Sequence, residues 1–164
     1  MRQSLTLELR IRNGIRMSVT KRFLVVDAWV IATASRKALD DNVWKAIEVL
    51  SRILHVCHKI ILDPEDPRND TILDEYQRQA KSEITKRWII TMQTRPKIAY
   101  RPRARLSLPI LADPDDLKYF QVAVNSPHKI IISEDSDISN IANHPQVIGK
   151  GLTIWTLDDS LSNL

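Results

Sequence analysis

Four acidic side chains stand where the predicted strands end or the predicted helices begin. Asp27 closes the apolar run Phe23–Val26, and Asp135 follows a second apolar run. Glu75 and Asp116 fall in the first turns of two predicted helices. Because strand carboxyl ends and the helix starts that follow them share one edge of a parallel sheet, we expect these four carboxylates to converge.

Clustered carboxylates repel one another and raise one another's pKa values unless a cation neutralises them. An all-oxygen ligand set without His or Cys favours Mg²⁺ or Mn²⁺ over Zn²⁺. Such ions lower the pKa of a bound water and stabilise the charge of an in-line phosphoryl displacement. The acids therefore predict a magnesium or manganese site for phosphoryl chemistry.

Each acid also has a purely structural interpretation. Asp27 is placed to cap the helix that follows it, and Asp113-Pro114-Asp115-Asp116 is typical of any helix start. Glu75 suits the positive end of a helix dipole. Asp135 and Asp137 lie in a polar turn, where aspartate bends the backbone. The joint spacing of the acids, rather than any one of them, favours the metal site.

Length and composition indicate one globular domain. The chain has 164 residues, of which 43% are hydrophobic and 27% are charged, as is usual for soluble domains. No apolar run approaches the roughly 20 residues of a membrane span. The chain has one cysteine, Cys57, which cannot form an internal disulfide, and this favours a reducing, cytoplasmic setting.

The net charge of +4 is unevenly distributed along the chain. Residues 1–22 carry six basic groups against one acid, and residues 78–105 carry nine against one. Residues 106–164 invert the balance, with eight acids and three lysines. Basic flanks around an acidic centre suit a polyanion held beside a metal site, although solvated helix faces give the same pattern.

Residues 1–21 are predicted to be a basic N-terminal extension. Residues 5–12 alternate apolar and polar side chains, and the alternation resumes after Asn13-Gly14. This pattern predicts a β-hairpin with a type I′ turn. The internal Met17 leaves open whether the first sixteen residues are an appendage or upstream sequence.

Apolar runs alternate with helical patterns from Phe23 onward, which predicts a doubly wound, mostly parallel sheet. A short helix is expected from Trp29, and a longer one opens at Thr71 with an apolar stripe that reaches Met92. Residues 95–105 are expected to form an extended surface loop. The predicted strands are residues 23–26, 59–62, 106–111, 129–132 and 152–155.

The order of these motifs resembles the PIN-domain ribonucleases over residues 22–158. After the strand that ends at Asp27 come Leu73-Asp74-Glu75-Tyr76 and then the segment from Asp113 to Ile138. That segment is the most specific part, with an Asp-Pro helix start, an aromatic and apolar helix face, and a strand ending in a hydroxyl, one residue and Asp. The resemblance implies a three-layer α/β/α, PIN-like domain over residues 22–164 with a central, mostly parallel sheet.

The resemblance also implies a function. The family cleaves single-stranded or loop RNA with Mg²⁺ or Mn²⁺, often as the toxin of a toxin–antitoxin pair or in RNA processing. RNA and an antitoxin-like protein are thus the implied partners, and a homodimer stays open. The matching catalytic positions are Asp27, Glu75, Asp116 and Asp135. The matching metal ligands are Asp27, Asp116, Asp135 and Asp137.

Two positions depart from the family pattern. Ala28-Trp29 stands where the family commonly has small hydroxyl or amide residues, so a hydroxyl that would orient a ligand is missing and a bulky ring is added. Glu134 replaces a glycine that often precedes the fourth acid.

The basic segment after the long helix contains the expected RNA contacts, in which cations meet phosphates and one ring stacks on a base. A solvated loop or a dock for an acidic peptide would have the same composition. Trp44 and Trp88 are expected in the core, and His55, Cys57 and His58 offer too few ligands for zinc. The expected RNA contacts are Arg95, Lys97, Tyr100, Arg101, Arg103 and Arg105.

Two rival functions are compatible with such a chain. The first is a catalytically inactive PIN-like module that binds RNA or a protein partner. The second is a phosphoacceptor receiver domain, which is also doubly wound and has an acidic pocket. The order of the acids argues against the receiver, because its acidic pair follows the first strand and its phosphoacceptor lies on a central one.

Overall fold

The computed structural model describes residues 6–10, 16–38 and 40–164, with side chains from residue 20 onward. Strands β1 (Thr6–Arg10) and β2 (Arg16–Thr20) pair antiparallel, with Thr6 opposite Thr20, as the predicted hairpin requires. The expected Asn13-Gly14 turn lies outside the described residues.

The central sheet has five strands, all parallel, in the order β5-β4-β3-β6-β7. The middle strand β3 is a continuous apolar run because helices cover both faces of a parallel sheet, and Leu24, Val25 and Val26 are fully buried. The predicted α/β class is confirmed. The strands are β3 (Phe23–Val26), β4 (Lys59–Leu62), β5 (Ile98–Tyr100), β6 (Ile130–Ile132) and β7 (Thr153–Trp155).

Helices flank the sheet in a three-layer α/β/α arrangement. Helices α1 to α4 pack against one another, α8 packs on α2, and α5 packs on β3, β4 and β6. None of the helices in the described part of the chain combines the length and apolar character that a membrane crossing requires. The helices are α1 (Ala28–Ala34), α2 (Asp41–His55), α3 (Ile72–Gln79), α4 (Glu83–Thr94), α5 (Leu117–Val124), α6 (Ser136–Ser139), α7 (Pro145–Ile148) and α8 (Leu157–Asn163).

The strand order reverses direction between β3 and β6. The chain runs outward from β3 to β4 and β5, then returns to place β6 on the other side of β3. The backbone N–H of Asp27 donates to the carbonyl of Ile132 at 2.9 Å, so the two strand ends stay joined where the helices diverge. Ligands of open α/β sheets bind outside the carboxyl ends of the strands at such a switch point.

The long helix expected over residues 72–92 is wrong, because the chain breaks it into α3 and α4. Ser82 caps a new helix by accepting from the backbone N–H of Thr85 at 3.3 Å. Ile84, part of the expected apolar stripe, lies in the first turn of α4 and is 55% exposed. Tyr76 and Trp88 stay in the core. A serine cap thus overrides a continuous apolar periodicity.

The expected loop over residues 95–105 contains the edge strand β5, so this prediction is wrong in part. Ile98 pairs with Ile60, and Tyr100 pairs with Leu62. The strand has three residues and lies between Pro96 and Pro102. Prolines confine pairing to a short edge segment, which is too brief to give an alternating pattern in the sequence.

The strand expected over residues 106–111 is also wrong. In place of ladder bonds, the segment is held by α5: Ala104 N–H donates to the carbonyl of Gln121 at 2.9 Å, and the Gln121 amide donates to the carbonyl of Leu106 at 3.3 Å. A turn closes at Leu111, whose N–H donates to the carbonyl of Leu108. Pro109 has no N–H to donate to a ladder, which disfavours a strand here.

One of the two tryptophans expected in the core is exposed. Trp88 is 4% exposed, and its indole N–H donates to the carbonyl of Leu50 at 2.8 Å. Trp44, on α2, is 56% exposed. The helical pattern of α2 places Val43 and Ala46 inward, and both are fully buried, so Trp44 and Lys45 between them point away from the core.

Candidate metal centre at the switch point

Asp27 lies at the carboxyl end of β3 and is 4% exposed. Its Oδ1 accepts from the backbone N–H of Trp29 at 3.1 Å, so it does cap α1. Its Oδ2 accepts from the Ser133 hydroxyl at 2.5 Å. Asp27 therefore has both the structural role and the buried position that the sequence left as alternatives.

Ser133 joins the first acid to the fourth. Its hydroxyl donates to Asp27 and accepts the backbone N–H of Asp135 at 3.0 Å. Ser133 follows β6 directly and is fully buried. The single hydroxyl therefore fixes the relative position of the strand ends β3 and β6 on the two sides of the switch point.

Three aspartates form a group with the spacing of metal ligands. Asp116, Asp135 and Asp137 are half-buried, and one carboxylate oxygen from each lies within 4.8 Å of the other two. Asp135 caps α6 by accepting from the backbone N–H of Asp137 at 2.8 Å, which holds both side chains at the start of that short helix. An all-oxygen set of this kind can hold a divalent cation.

Asp116 does not cap a helix with its side chain, because Asp113 caps the turn that contains it. A 3₁₀ turn at Pro114–Asp116 precedes α5, and Asp113 caps it by accepting from the backbone N–H of Asp115 at 2.9 Å. Asp116 makes no side-chain capping bond to α5. The interpretation of Asp116 as an ordinary helix cap is thus replaced by a carboxylate directed to the other acids.

The electrostatics of the acids show mutual repulsion. Burial raises the pKa of Asp27 to about 6, with Asp135 and Glu75 adding to it and the bonds from Ser133 and Trp29 opposing it. Burial also raises the pKa of Asp116 to about 7, assisted by the charges of Asp27, Asp113, Asp135 and Glu75. These carboxylates therefore lie close enough to oppose one another's ionisation, and a cation would relieve that opposition.

Glu75 approaches the cluster from the first turn of α3 but is engaged by two donors. The Tyr119 hydroxyl donates to its Oε2 at 2.7 Å, and the Lys118 ammonium lies 2.6 Å from the same oxygen. Burial holds the pKa of Tyr119 well above its usual value, so the phenol keeps its proton and stays a donor. Among the described residues, Glu75 is not a member of the aspartate group.

The positions that depart from the family pattern are accommodated by other contacts. The Tyr119 hydroxyl accepts the backbone N–H of Ala28 at 3.1 Å, so hydroxyls come from Tyr119 and Ser133 although residue 28 has none. The Trp29 ring packs against the core with the Arg36 guanidinium 5.7 Å from its centre. The Glu134 carboxylate accepts from the backbone N–H of Leu157 at 3.1 Å and so ties β6 to α8.

The six expected RNA contacts divide between the two ends of the sheet. Arg95 and Lys97 precede β5, at the edge opposite the acids, and the Lys97 ammonium donates to the carbonyls of Ile53 and Val56 at the end of α2. The Lys97 ammonium is therefore engaged at the end of α2, and its role as an RNA contact stays a prediction. Tyr100, Arg101, Arg103 and Arg105 follow at the carboxyl edge.

Arg103 has a structural partner at that edge. Its Nε donates to Asp63 Oδ2 at 2.8 Å, and Asp63 is 3% exposed at the end of β4. Asp63 also accepts from the backbone N–H of Ile72 at 2.9 Å, which anchors the start of α3. The guanidinium is thus committed to this buried carboxylate. Tyr100 and Arg105 are exposed and Arg101 is half-buried. The six RNA contacts stay a prediction.

His58 and its neighbours have contacts of their own. The Nδ1 of His58 accepts from the backbone N–H of Arg22 at 3.2 Å, and burial with the nearby Arg22 and Lys97 charges lowers its pKa to about 4. The His55 ring lies 2.8 Å from the carbonyl of Ser51. His58 is therefore a buried neutral residue beside the amino ends of the strands.

Three residues of the site were not among the predicted ones. Ser133, Lys118 and Tyr119 act on acids that are 43 or more positions away in the sequence, as with Ser133 and Asp27. Their only sequence signals are a hydroxyl two residues before Asp135 and a Lys-Tyr pair just after Asp116. Neither signal shows which acid the side chain contacts.

Comparison of the chain with protein-family models, with curated proteins and with solved structures found no match. The site is therefore interpreted from its own geometry. Its three-aspartate group offers oxygen donors only and can hold a metal ion.

Proposed function

We propose that the protein is a divalent-metal-dependent endoribonuclease. The observation that carries the proposal is the group of Asp116, Asp135 and Asp137 at the switch point, with Asp27 and Glu75 close enough to help raise the pKa of Asp116. The resemblance of the same residues to the PIN-domain ribonucleases supports RNA as the substrate.

The aspartate group would hold the ion. Asp116, Asp135 and Asp137 supply three carboxylate oxygens from two separate segments, and Ser133 fixes the Asp135 backbone through its hydroxyl. When bound there, Mg²⁺ or Mn²⁺ supplies a water of lowered pKa and a positive charge for the phosphate oxygens.

Asp27 is the residue best placed to move a proton. It lies against the cluster, is buried and has a pKa raised to about 6, near the range in which a carboxylate acts as a general base at neutral pH. The Ser133 and Trp29 hydrogen bonds keep its two oxygens oriented. With an ion in place, Asp27 would be ionised and could also complete the ligand set.

The substrate would approach over the carboxyl edge of the sheet. Tyr100 is 49% exposed there, beside Arg101 and Arg105. A stacking ring next to two guanidinium groups is the combination that single-stranded nucleic acid binds. These groups follow β5 at its carboxyl end, which supports an approach of the RNA backbone over that edge of the sheet.

The test is cleavage of a random-sequence, end-labelled RNA pool by the purified protein. We expect fragments with Mn²⁺ or Mg²⁺, none with EDTA, and recovery when the ion is added back in excess. Cleavage of a DNA pool of the same length is measured in parallel and shows whether the protein requires the ribose 2′-hydroxyl. If the RNA pool is bound in a salt-sensitive way but never cut, the protein is the RNA-binding module and the nuclease proposal is wrong.

A further inference from the structure

Lys118 is a buried lysine at the edge of the acid cluster. It is 6% exposed, although lysine is among the residue types that are least often buried. Its ammonium lies 2.6 Å from Glu75 Oε2 and 3.5 Å from Asp70 Oδ2. The chain therefore carries a fixed positive charge inside the acidic site, two residues after Asp116.

Glu75 is paired with this lysine. Its Oε2 receives the Tyr119 hydroxyl at 2.7 Å in addition to the ammonium, and the Tyr119 hydroxyl is itself held by the backbone N–H of Ala28. The Oε2 atom, with two close donors, has little left for a metal ion, and an ion bound at the other oxygen, Oε1, would stand close to the ammonium. Glu75 still opposes the ionisation of Asp27 and Asp116, so it lies within electrostatic range of the cluster.

A second divalent ion bound by Glu75 would lie at or next to the position of the Lys118 ammonium. To be bound by Glu75, the ion would have to displace the ammonium or stand beside it, and two cations at such a distance repel strongly in a half-buried site. Nucleases with two metal ions use the second ion to neutralise charge on the far side of the phosphate. In this protein the Lys118 ammonium supplies a positive charge next to Glu75, outside the aspartate group, without any second ion.

We propose that Lys118 is a built-in cation that replaces a second metal ion, so that the site binds one divalent ion per chain. The ion is held by the group of Asp116, Asp135 and Asp137, and the pair of Glu75 and Lys118 forms the other half of the site. This inference rests on the metal site of the proposed function and specifies its stoichiometry.

The test is a titration of the full chain with Mn²⁺. The number of ions bound per chain is measured by calorimetry and, independently, from the EPR signal of free Mn²⁺. We expect one ion for the wild type and one for Lys118→Arg, which keeps the charge. We expect two ions for Lys118→Met, because Glu75 becomes free to bind metal. The double variant Glu75→Gln/Lys118→Met should return to one ion, since it lacks both the ammonium and the carboxylate.

Lys45→Met is the matched control. Lys45 is also paired with two acids, Asp41 at 2.8 Å and Asp158 at 2.9 Å, but it lies on α2 away from the cluster. This variant should bind one ion with the wild-type affinity. Thermal unfolding of each variant without metal reports whether it is folded before titration.

The possible stoichiometries separate this inference from the function on which it rests. Two ions in the wild type would overturn the role of Lys118 and leave the metal-dependent nuclease intact. One ion in Lys118→Met would also overturn it, provided that the variant is folded. No Mn²⁺ bound to the wild type would overturn both. If Lys118→Met does not fold, Lys118→Gln, which also removes the charge, is titrated in its place; two ions are expected, and one ion would overturn the inference.

Discussion

Replacing Asp116 with asparagine is expected to slow Mn²⁺-dependent RNA cleavage by about 10³-fold. Metal-ion stabilisation of a phosphoryl transition state contributes several kcal/mol, and about 4 kcal/mol corresponds to this factor. Asp116 is the only member of the aspartate group that comes from outside the α6 start, so its loss leaves Asp135 and Asp137 on one short segment. Single-turnover cleavage rates at saturating protein measure the effect.

Asp115→Asn is the control for this substitution. It removes the same charge from the neighbouring residue of the same turn, but Asp115 is exposed and outside the described aspartate group. We expect a cleavage rate within about twofold of the wild type, since exposed charges away from the site contribute little. Equal slowing by both variants would show that the effect comes from the helix start or from net charge, and the metal role of Asp116 would be wrong.

The second large effect concerns pH and the ion-free protein. The folded-state pKa values of Asp27 and Asp116 are about 6 and about 7, against an ordinary value of 3.8. Between pH 4 and 7 the folded state therefore binds more protons than the unfolded state at these two positions. Their contribution to the free energy of unfolding is full below pH 4 and is lost as the pH rises through 6 and 7.

His58 opposes this trend in part of the same range. Its folded-state pKa of about 4 lies below its ordinary value of 6.5, so its contribution rises with pH from about 4 to 6.5. The free energy of unfolding of the wild type therefore combines two opposite pH dependences, one from Asp27 and Asp116 and one from His58. The difference between the wild type and Asp116→Asn removes the His58 term, because that residue is unchanged in both proteins.

We expect Asp116→Asn to leave ion-free stability unchanged at pH 4 and to raise it at pH 8. Allowing for solvent screening of a half-buried group, the gain is about 1–2 kcal/mol, or roughly 2–8 °C in thermal midpoint. Excess Mn²⁺ should stabilise the wild type at pH 8 by about 3 kcal/mol at a hundredfold excess over Kd, and should have little effect on the variant.

Thermal unfolding in EDTA and in Mn²⁺, at pH 4 and pH 8, measures all of these quantities. A variant that is less stable than the wild type at pH 8 without ion would contradict the repulsion on which the site is argued. Mn²⁺ stabilisation of equal size in both proteins would place the ion somewhere other than at Asp116.

The central strands and their acids could be predicted because a buried parallel strand leaves a plain signal. Leu24 to Val26 and Ile130 to Ile132 are apolar throughout, and the residue types that follow them are polar. The carboxyl ends of parallel strands meet at one edge, so the convergence of Asp27 and Asp135 follows from topology alone. The same reasoning predicts that Asp116 lies at this edge, because Pro114 marks the start of the helix that carries it.

The sequence did not predict some element boundaries or some long-range side-chain contacts, and the reasons differ. Strand β5 has three residues between two prolines, and the break between α3 and α4 depends on one serine cap within an apolar periodicity. The contacts of Lys118 and Tyr119 with Glu75 join positions 43 and 44 residues apart, and they depend on how α3 and α5 approach each other. Residue spacing within one helix contains no information on that approach.

The RNA contacts show the same limit. Arg95, Lys97 and Arg103 were grouped with Arg101 and Arg105 because all five are basic and close in sequence. A three-residue strand separates the first two from the others by placing them at opposite ends of the sheet. The charge of Lys97 is used at the end of α2, and that of Arg103 at Asp63.

The central claim is that the acids at the switch point hold a divalent cation. The most direct measurement is the anomalous difference density of a crystal grown with Mn²⁺. The account predicts a peak about 2 Å from carboxylate oxygens of Asp116, Asp135 and Asp137. The acidic loop at residues 65–70 is an internal comparison, since it holds three carboxylates, those of Glu65, Asp66 and Asp70, and none of them belongs to the aspartate group. A peak only at that loop, or no peak at the three aspartates, would contradict the account.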